Sequence, residues 1–323
     1  MQRAGHFFRL MSQLRFTAPT NPMRRDGKSR RLLPLILLGV LLSARTPVAL
    51  AQSAKFPATP AGDMVRLAVD HELNAANGLP PYMFVMHKQT LHGSNAKLFV
   101  PTKDAMAGRV IAYDGKPLTP DQRQAEDARV ERFLHDPVEL REKQRQEKEN
   151  SSRASRIIKA LPDAFIYEYS GFEPGTASVG RKGDELLRLN FSPNPKYDPP
   201  SRVEQALTGM QGTLLLDVKR MRIARIEGTL RSDVGFGWGI LGHLDKGGHI
   251  VLEQSDIGDG TWTMTRLSMR FSGKVLLFKN IKVDTTEVSQ DFQRVPSDLT
   301  FAQGLELLKK QELLLARSTP GQQ

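Results

Sequence analysis

Few residues in this chain are suited to chemistry. The run DVGFGWGILGHLDKGGH over 233–249 holds G-x-G-x-x-G spacing from Gly237 to Gly242. Such a loop cradles phosphates when it joins a strand to a helix, or when Lys-Ser or Lys-Thr follows the last glycine. Here His243-Leu244-Asp245-Lys246-Gly247-Gly248 follows, which starts no stable helix and contains neither pair. The run therefore reads as a wide β connection, with Phe236, Trp238, Ile240 and Leu241 packing over strands, and no nucleotide is expected there. Beyond residue 51 the histidines are His71, His87, His92, His135, His243 and His249. None belongs to an H-E-x-x-H motif, and the H-x5-H spacing of His243 and His249 lacks a carboxylate partner nearby in sequence. The stretch DIGDG at 256–260 lacks the alternating acids and distal Glu of a calcium loop and reads as a hairpin turn. No G-x-S-x-G elbow exists, and no S-x-x-K lies in a suitable context. The chain has no cysteine, so disulfides, thiolate metal sites, a Cys nucleophile and a lipidated N-terminal Cys are excluded. No catalytic residue, metal or cofactor is expected from these motifs. A carboxylate pair for glycoside hydrolysis, which converges only in space, stays open.

What remains is apolar surface. In Leu267-Ser268-Met269-Arg270-Phe271 alternate residues share one face, and Leu187-Arg188-Leu189-Asn190-Phe191 repeats the pattern. The run VLLF at 275–278 is apolar on both faces, which predicts a strand covered twice. Met83, Met86, Met264 and Met269 suit a deformable apolar pocket and suit a core equally well. Leu267, Met269, Phe271, Trp238 and Phe236 are accordingly the candidate ligand-lining residues, with an ordinary core as the alternative reading of the same face.

The elements that must position this face follow from periodicity and turn residues. A helix is expected over 63–77, with Asp63 as N-cap and Gly78 as stop. Strands are expected over 82–90, 97–100 and 108–113, with Asp114-Gly115 as a turn. Residues 119–161 read as helical: Thr119-Pro120-Asp121 starts a helix, and Asp136-Pro137 restarts it. Within this block, REKQRQEKEN over 141–150 has no apolar residue. It reads as a solvated surface helix with a Glu139–Lys143 pair; a docking arm is the sharper alternative. From 164 onward short strands dominate (164–169, 186–191, 212–217, 222–230, 249–254, 261–271, 275–285), interrupted by one short helix over 202–210. Helices do not alternate with these strands, so the sheet should be antiparallel. Thr300-Phe301-Ala302-Gln303 is a capping box for a C-terminal helix whose stripe is Leu305, Leu308, Leu313 and Leu314.

The formal charge of +11 is concentrated at the N-terminus. Residues 1–51 hold nine Lys/Arg and one acid, a charge of +8, so 52–323 carry only +3 (11 − 8). A nucleic-acid footprint is not supported. The order is instead that of a secretory signal peptide: a basic stretch over 24–31, an apolar run over 32–42, and an A-x-A site at Ala49-Leu50-Ala51 before Gln52. The apolar run is too short to span a bilayer core of about 20 helical residues. Cleavage between Ala51 and Gln52 would deliver a periplasmic or secreted protein whose contact with the membrane is transient. Met1, Met11 and Met23 are alternative starts.

The meander that ends in GWGILGHLDKGGH and continues as VLEQSDIGDGTWTMTRLSMRFSGKVLLFKNIKV resembles an uncharacterised bacterial family of exported proteins. Its strand pattern, over 64–296, is similar to the lipoprotein-localisation-factor fold. That resemblance implies a curved antiparallel sheet, a half-open barrel, around a hydrophobic cavity closed by helices. The block 119–161 would be an insertion relative to the simple carriers, and no functional residue of the carriers maps onto a matching position. The combined expectation is an α+β chain: signal peptide 1–51, linker 52–62, one half-barrel domain over 63–316 with helices on one side and a charged helical insertion at 119–161, and a tail over 317–323. Its expected role is non-catalytic binding or carriage of an apolar ligand, a lipid or the acyl chains of a lipoprotein. An envelope protein partner, a secreted hydrolase and an interaction protein with a filled core are the alternatives.

Overall fold

The computed structural model describes residues 56–75, 78–236, 242–275 and 279–318. Its elements are α1 (Ala61–Ala75), β1 (Tyr82–Thr90), β2 (Gly93–Pro101), β3 (Met106–Tyr113), β4 (Lys116–Pro117), α2 (Pro120–His135), α3 (Pro137–Ala164), β5 (Phe165–Pro174), β6 (Glu185–Pro193), α4 (Arg202–Gln205), β7 (Met210–Asp217), β8 (Arg222–Leu230), β9 (Val234–Phe236), β10 (Gly242–Leu244), β11 (His249–Asp256), β12 (Trp262–Val275), β13 (Lys279–Arg294) and α5 (Phe301–Ser318). The fold is α+β. One 13-stranded sheet runs in the order β4-β3-β2-β1-β13-β12-β11-β8-β7-β6-β5, with β10 also paired to β12 and β9 to β10. Every pairing between strands is antiparallel, and the sheet does not close into a barrel.

Local chemistry sets many of the boundaries. Thr119 caps α2 with a full capping box, and Asp136 accepts from Val138 N–H and Glu139 N–H to start α3. Thr300 and Gln303 exchange hydrogen bonds at the start of α5. Asp114 and Gly115 both take positive φ, 48° and 72°, as the tight β3–β4 turn requires. Other boundaries differ from the sequence expectation. Helix α1 begins at Ala61, because Pro60 already accepts from Asp63 N–H and Met64 N–H. The segment before it is not a bare linker: Phe56 stacks on Tyr169 and Phe172 at 5.2 and 5.7 Å. Helix α3 runs through Pro162 to Ala164. Val275 closes β12 and β13 starts at Lys279, so residues 276–278 of the apolar run lie outside the described residues.

Helices lie on both faces of the sheet rather than on one. The inner face carries Phe84, Met86, Phe99, Leu187, Leu189, Leu214, Leu252 and Leu267, packed against Met64, Val65 and Ala68 of α1 and Ala154, Ile158 and Leu161 of α3. The opposite face of β1–β3 carries Met83, Val85, Leu98, Val100 and Ala107, covered by Phe301, Leu305 and Leu308 of α5. Two registers explain why one strand serves two cores, since successive side chains point to opposite faces. Leu313 and Leu314, expected in the buried stripe of α5, are 51% and 46% exposed. Arg109 anchors this layer: its Nε reaches Glu312 Oε2 at 2.5 Å and its Nη2 reaches Asp127 Oδ1 at 2.6 Å.

Candidate functional site

The alternation read from 267–271 is realised as one row on the inner face. Leu267 pairs with Leu252, and Met269 with Ile250. Leu267 is fully buried and Met269 is 8% exposed, both inside the main core. Phe271 is only half-buried, as are Ile250, Leu244 and Phe236. Strand β9 pairs with β10, setting Phe236 against Gly242, and β10 pairs with β12, setting Leu244 against Gly273. The structure therefore splits the five candidates. Leu267 and Met269 are core, Phe271 and Phe236 stand at the partly open end of the sheet, and Trp238 lies outside the described residues. The flanks of the glycine-rich run are strands, not a strand and a helix.

Helices explain the division. Glu72 of α1 reaches the far end of the sheet, where its Oε1 accepts from Arg222 Nε at 2.9 Å and from Ile223 N–H at 3.0 Å. That end is covered. The row Phe271–Val283 lies at the other end, and Val283 is half-buried too.

Moving across the sheet from Phe271, the inner face changes character. Leu267 faces Glu287 on β13, Glu287 faces Lys88 on β1, and Lys88 faces Asn95 on β2. One row further on, Ser289 faces Met86, and Met86 faces Lys97. Glu287 is 1% exposed and pairs with Lys88 Nζ at 2.8 Å. Among the described residues its Oε2, the Oγ of Ser289 and the Oδ1 of Asn95 are buried without a hydrogen-bond partner. Sequence reasoning missed this belt. Lys88, Asn95, Lys97, Glu287 and Ser289 belong to no motif, and only the register brings them together.

The charged helix over 141–150 contributes to the same region. It is not simply solvated: Lys143 and Glu147 are half-buried and pair at 3.0 Å, in place of the expected Glu139–Lys143 contact. Glu147 also accepts from Met106 N–H. Arg129 of α2 is held by Glu126, whose Oε1 accepts from Val110 N–H at 2.7 Å. The cations Lys88, Arg129 and Lys143 each have a carboxylate. Lys97 does not: among the described residues its ammonium makes no ion pair. Burial holds that ammonium below its ordinary range, and the neighbouring Arg129 pushes the same way.

The other sheet face, over β5–β8, carries an open trough of about 570 Å3 lined by Glu168, Arg188, Asn190, Gln211, Thr213 and Glu227 among others. It is polar and lies opposite the face on which a cavity was expected. Its two acids are Glu168 and Glu227. Glu168, Asn190, Thr213 and Glu227 are successive cross-strand partners. The backbones of the two glutamates are thus three strand spacings apart, about 14 Å. The histidines of the glycine-rich region make local contacts, His243 with Asp245 at 3.1 Å and His249 with Glu227 at 3.3 Å. Among the described residues no group of three metal-ligating side chains converges.

No protein-family model matches this chain, and no curated protein matches it. Among solved structures it is similar to a DUF1329 family protein from Desulfovibrio piger, with 12% identity over 77% of this chain and 99% of that one, and a TM-score of 0.26. A likeness this loose carries no argument about fold or activity.

Proposed function

We propose that this chain is a non-catalytic binding or carrier protein of the bacterial periplasm for a ligand with an apolar tail. The observation that carries the reading is the half-buried apolar row Phe236, Leu244, Ile250 and Phe271, continuous with the core yet not sealed by α1 and α3. The signal-peptide order of 24–51 and the similarity of the strand pattern to the lipoprotein-localisation-factor fold support it from sequence. Burying one such side chain against an acyl chain is worth about 1.5–3 kcal/mol. Four of them supply about 6–12 kcal/mol, and micromolar affinity needs about 8 kcal/mol net of association costs. Affinity in the micromolar range is therefore the upper expectation.

The test is titration of a fluorescent fatty acid into the purified protein, wild type and two variants. Phe271→Asp should weaken binding more than tenfold with a melting temperature within a few degrees of wild type, because its site is open to water. Leu267→Asp should fail to fold, because a carboxylate there is fully buried without a partner. A wild type that binds no acyl probe overturns the reading and leaves a filled core with an interaction surface.

A further inference from the structure

The inner-face residues that helices leave half-exposed form a strip with two chemically different ends. It starts at Phe236, Leu244, Ile250 and Phe271 and passes Val283 and Thr285 to Lys88, Asn95 and Lys97. From Ile250 on β11 to Lys97 on β2 is four strand steps, about 19 Å. The strip is apolar at one end and polar at the other, which is the pattern of an amphiphile.

The polar end has unmatched hydrogen-bonding capacity of both kinds. Two donors are unengaged: the Lys97 ammonium and the Ser289 hydroxyl, on a residue 4% exposed. Two acceptors are unengaged: Glu287 Oε2 and Asn95 Oδ1. Leaving a buried polar atom unpaired costs about 1–3 kcal/mol, so three such atoms on β2 and β13, the two strands that flank β1, point to a partner that satisfies them together with the half-buried Lys97. The charge count selects its sign. Lys88, Arg129 and Lys143 are each neutralised by Glu287, Glu126 and Glu147, which leaves Lys97 as the cation in excess. An anion alone would meet the Glu287 oxygen unfavourably. A head that carries an anionic group and also hydroxyls places acceptors at Lys97 and Ser289 and donors at Glu287 Oε2 and Asn95 Oδ1.

We infer that Lys97, Ser289, Asn95 and Glu287 form the head-group subsite of this protein, and that its ligand is a single-chain lipid with an anionic, hydroxyl-bearing head of the acyl-glycerol-phosphate class. This rests on the proposed apolar binding function and deepens it. The experiment measures the full chain against three lipids of equal chain length: an acyl-glycerol phosphate (charge and hydroxyl), a monoacylglycerol (hydroxyl alone) and a fatty acid (charge alone). Wild type should bind the phosphate at least tenfold more tightly than the other two. Lys97→Met should abolish that preference, weakening the phosphate lipid at least tenfold more than monoacylglycerol, while Ser289→Ala should reduce affinity for the phosphate lipid severalfold. If Lys97→Met does not fold, Lys97→Gln carries the same comparison. Equal binding of all three lipids by wild type, or an unchanged preference in the Lys97 variant, overturns the subsite while the apolar reading stands. Binding to the fatty acid as tight as to the phosphate removes the hydroxyl requirement and overturns the assigned class. Absence of binding to any of the three overturns both.

Discussion

Glu72 sits in the last turn of α1 and is 3% exposed, yet it carries a carboxylate into the sheet. Arg222 Nε, Ile223 N–H and Gln254 Nε2 all donate to its Oε1. The Arg222 guanidinium lies 5.8 Å from the Trp262 ring centroid. Removing one member of such a pair strands the other charge out of water, at about 3–5 kcal/mol. Arg222→Ala should therefore destabilise the protein by that amount in urea unfolding, far more than loss of an exposed pair such as Arg66–Asp163. The pH dependence has a definite sign. Burial pushes the Glu72 carboxyl up, against the pull of Arg222, the Ile223 N–H and Gln254. A raised folded pKa means the contribution of this group is complete below the ordinary carboxylate range and is lost as pH rises through the elevated value. Wild type should lose more stability than Glu72→Gln as pH is raised from that range toward neutrality. Equal slopes for the two proteins would contradict the burial argument.

At the scale of elements, the sheet depends on close backbone approach at β7–β8. Gly212 pairs with Gly228 across these strands. A Cβ on Gly212 would lie 1.8 Å from the Glu227 carbonyl oxygen, a backbone atom that cannot swing away. Gly212→Ala should therefore cost at least the roughly 1–3 kcal/mol of an overpacked site, outweighing the gain of up to about 1 kcal/mol from restricting the unfolded chain. Thermal melts decide it, and a variant as stable as wild type would mean that the strands can separate at no cost. The same pair of strands bears the polar trough on one face and Leu214, Leu216 and Ile223 of the core on the other. Strand alternation lets one element hold both.

For the whole molecule, the separation of charge predicts a processing event. Residues 1–51 hold +8 of the +11, and the remainder is near neutral. Expression in a bacterial host with intact-mass analysis of the exported protein should give a chain that starts at Gln52. A mass that retains 32–42 would instead indicate an anchored protein and remove the soluble-carrier proposal. The described residues include no helix long and apolar enough to cross a membrane.

Short-range chemistry was legible in the amino-acid order. The strand over Tyr82–Thr90, the caps at Thr119, Asp136 and Thr300, and the Asp114-Gly115 turn depend on neighbours within about four residues. The antiparallel class followed as well, because strands that succeed one another without intervening helices have few other ways to pair. The division of the 267–271 row into core and open end was not legible. Leu267 and Phe271 have the same alternation, and they differ only in whether α1 and α3, distant in sequence, reach over them. The polar belt was hidden for the same reason. Lys97 is nearly two hundred residues from Glu287 and Ser289 in the chain and is brought near them only through the β2–β1–β13 register. Periodicity states which face a side chain takes; what stands across that face is set by long-range pairing, whose free energy is shared among many contacts and written in no single stretch of residues.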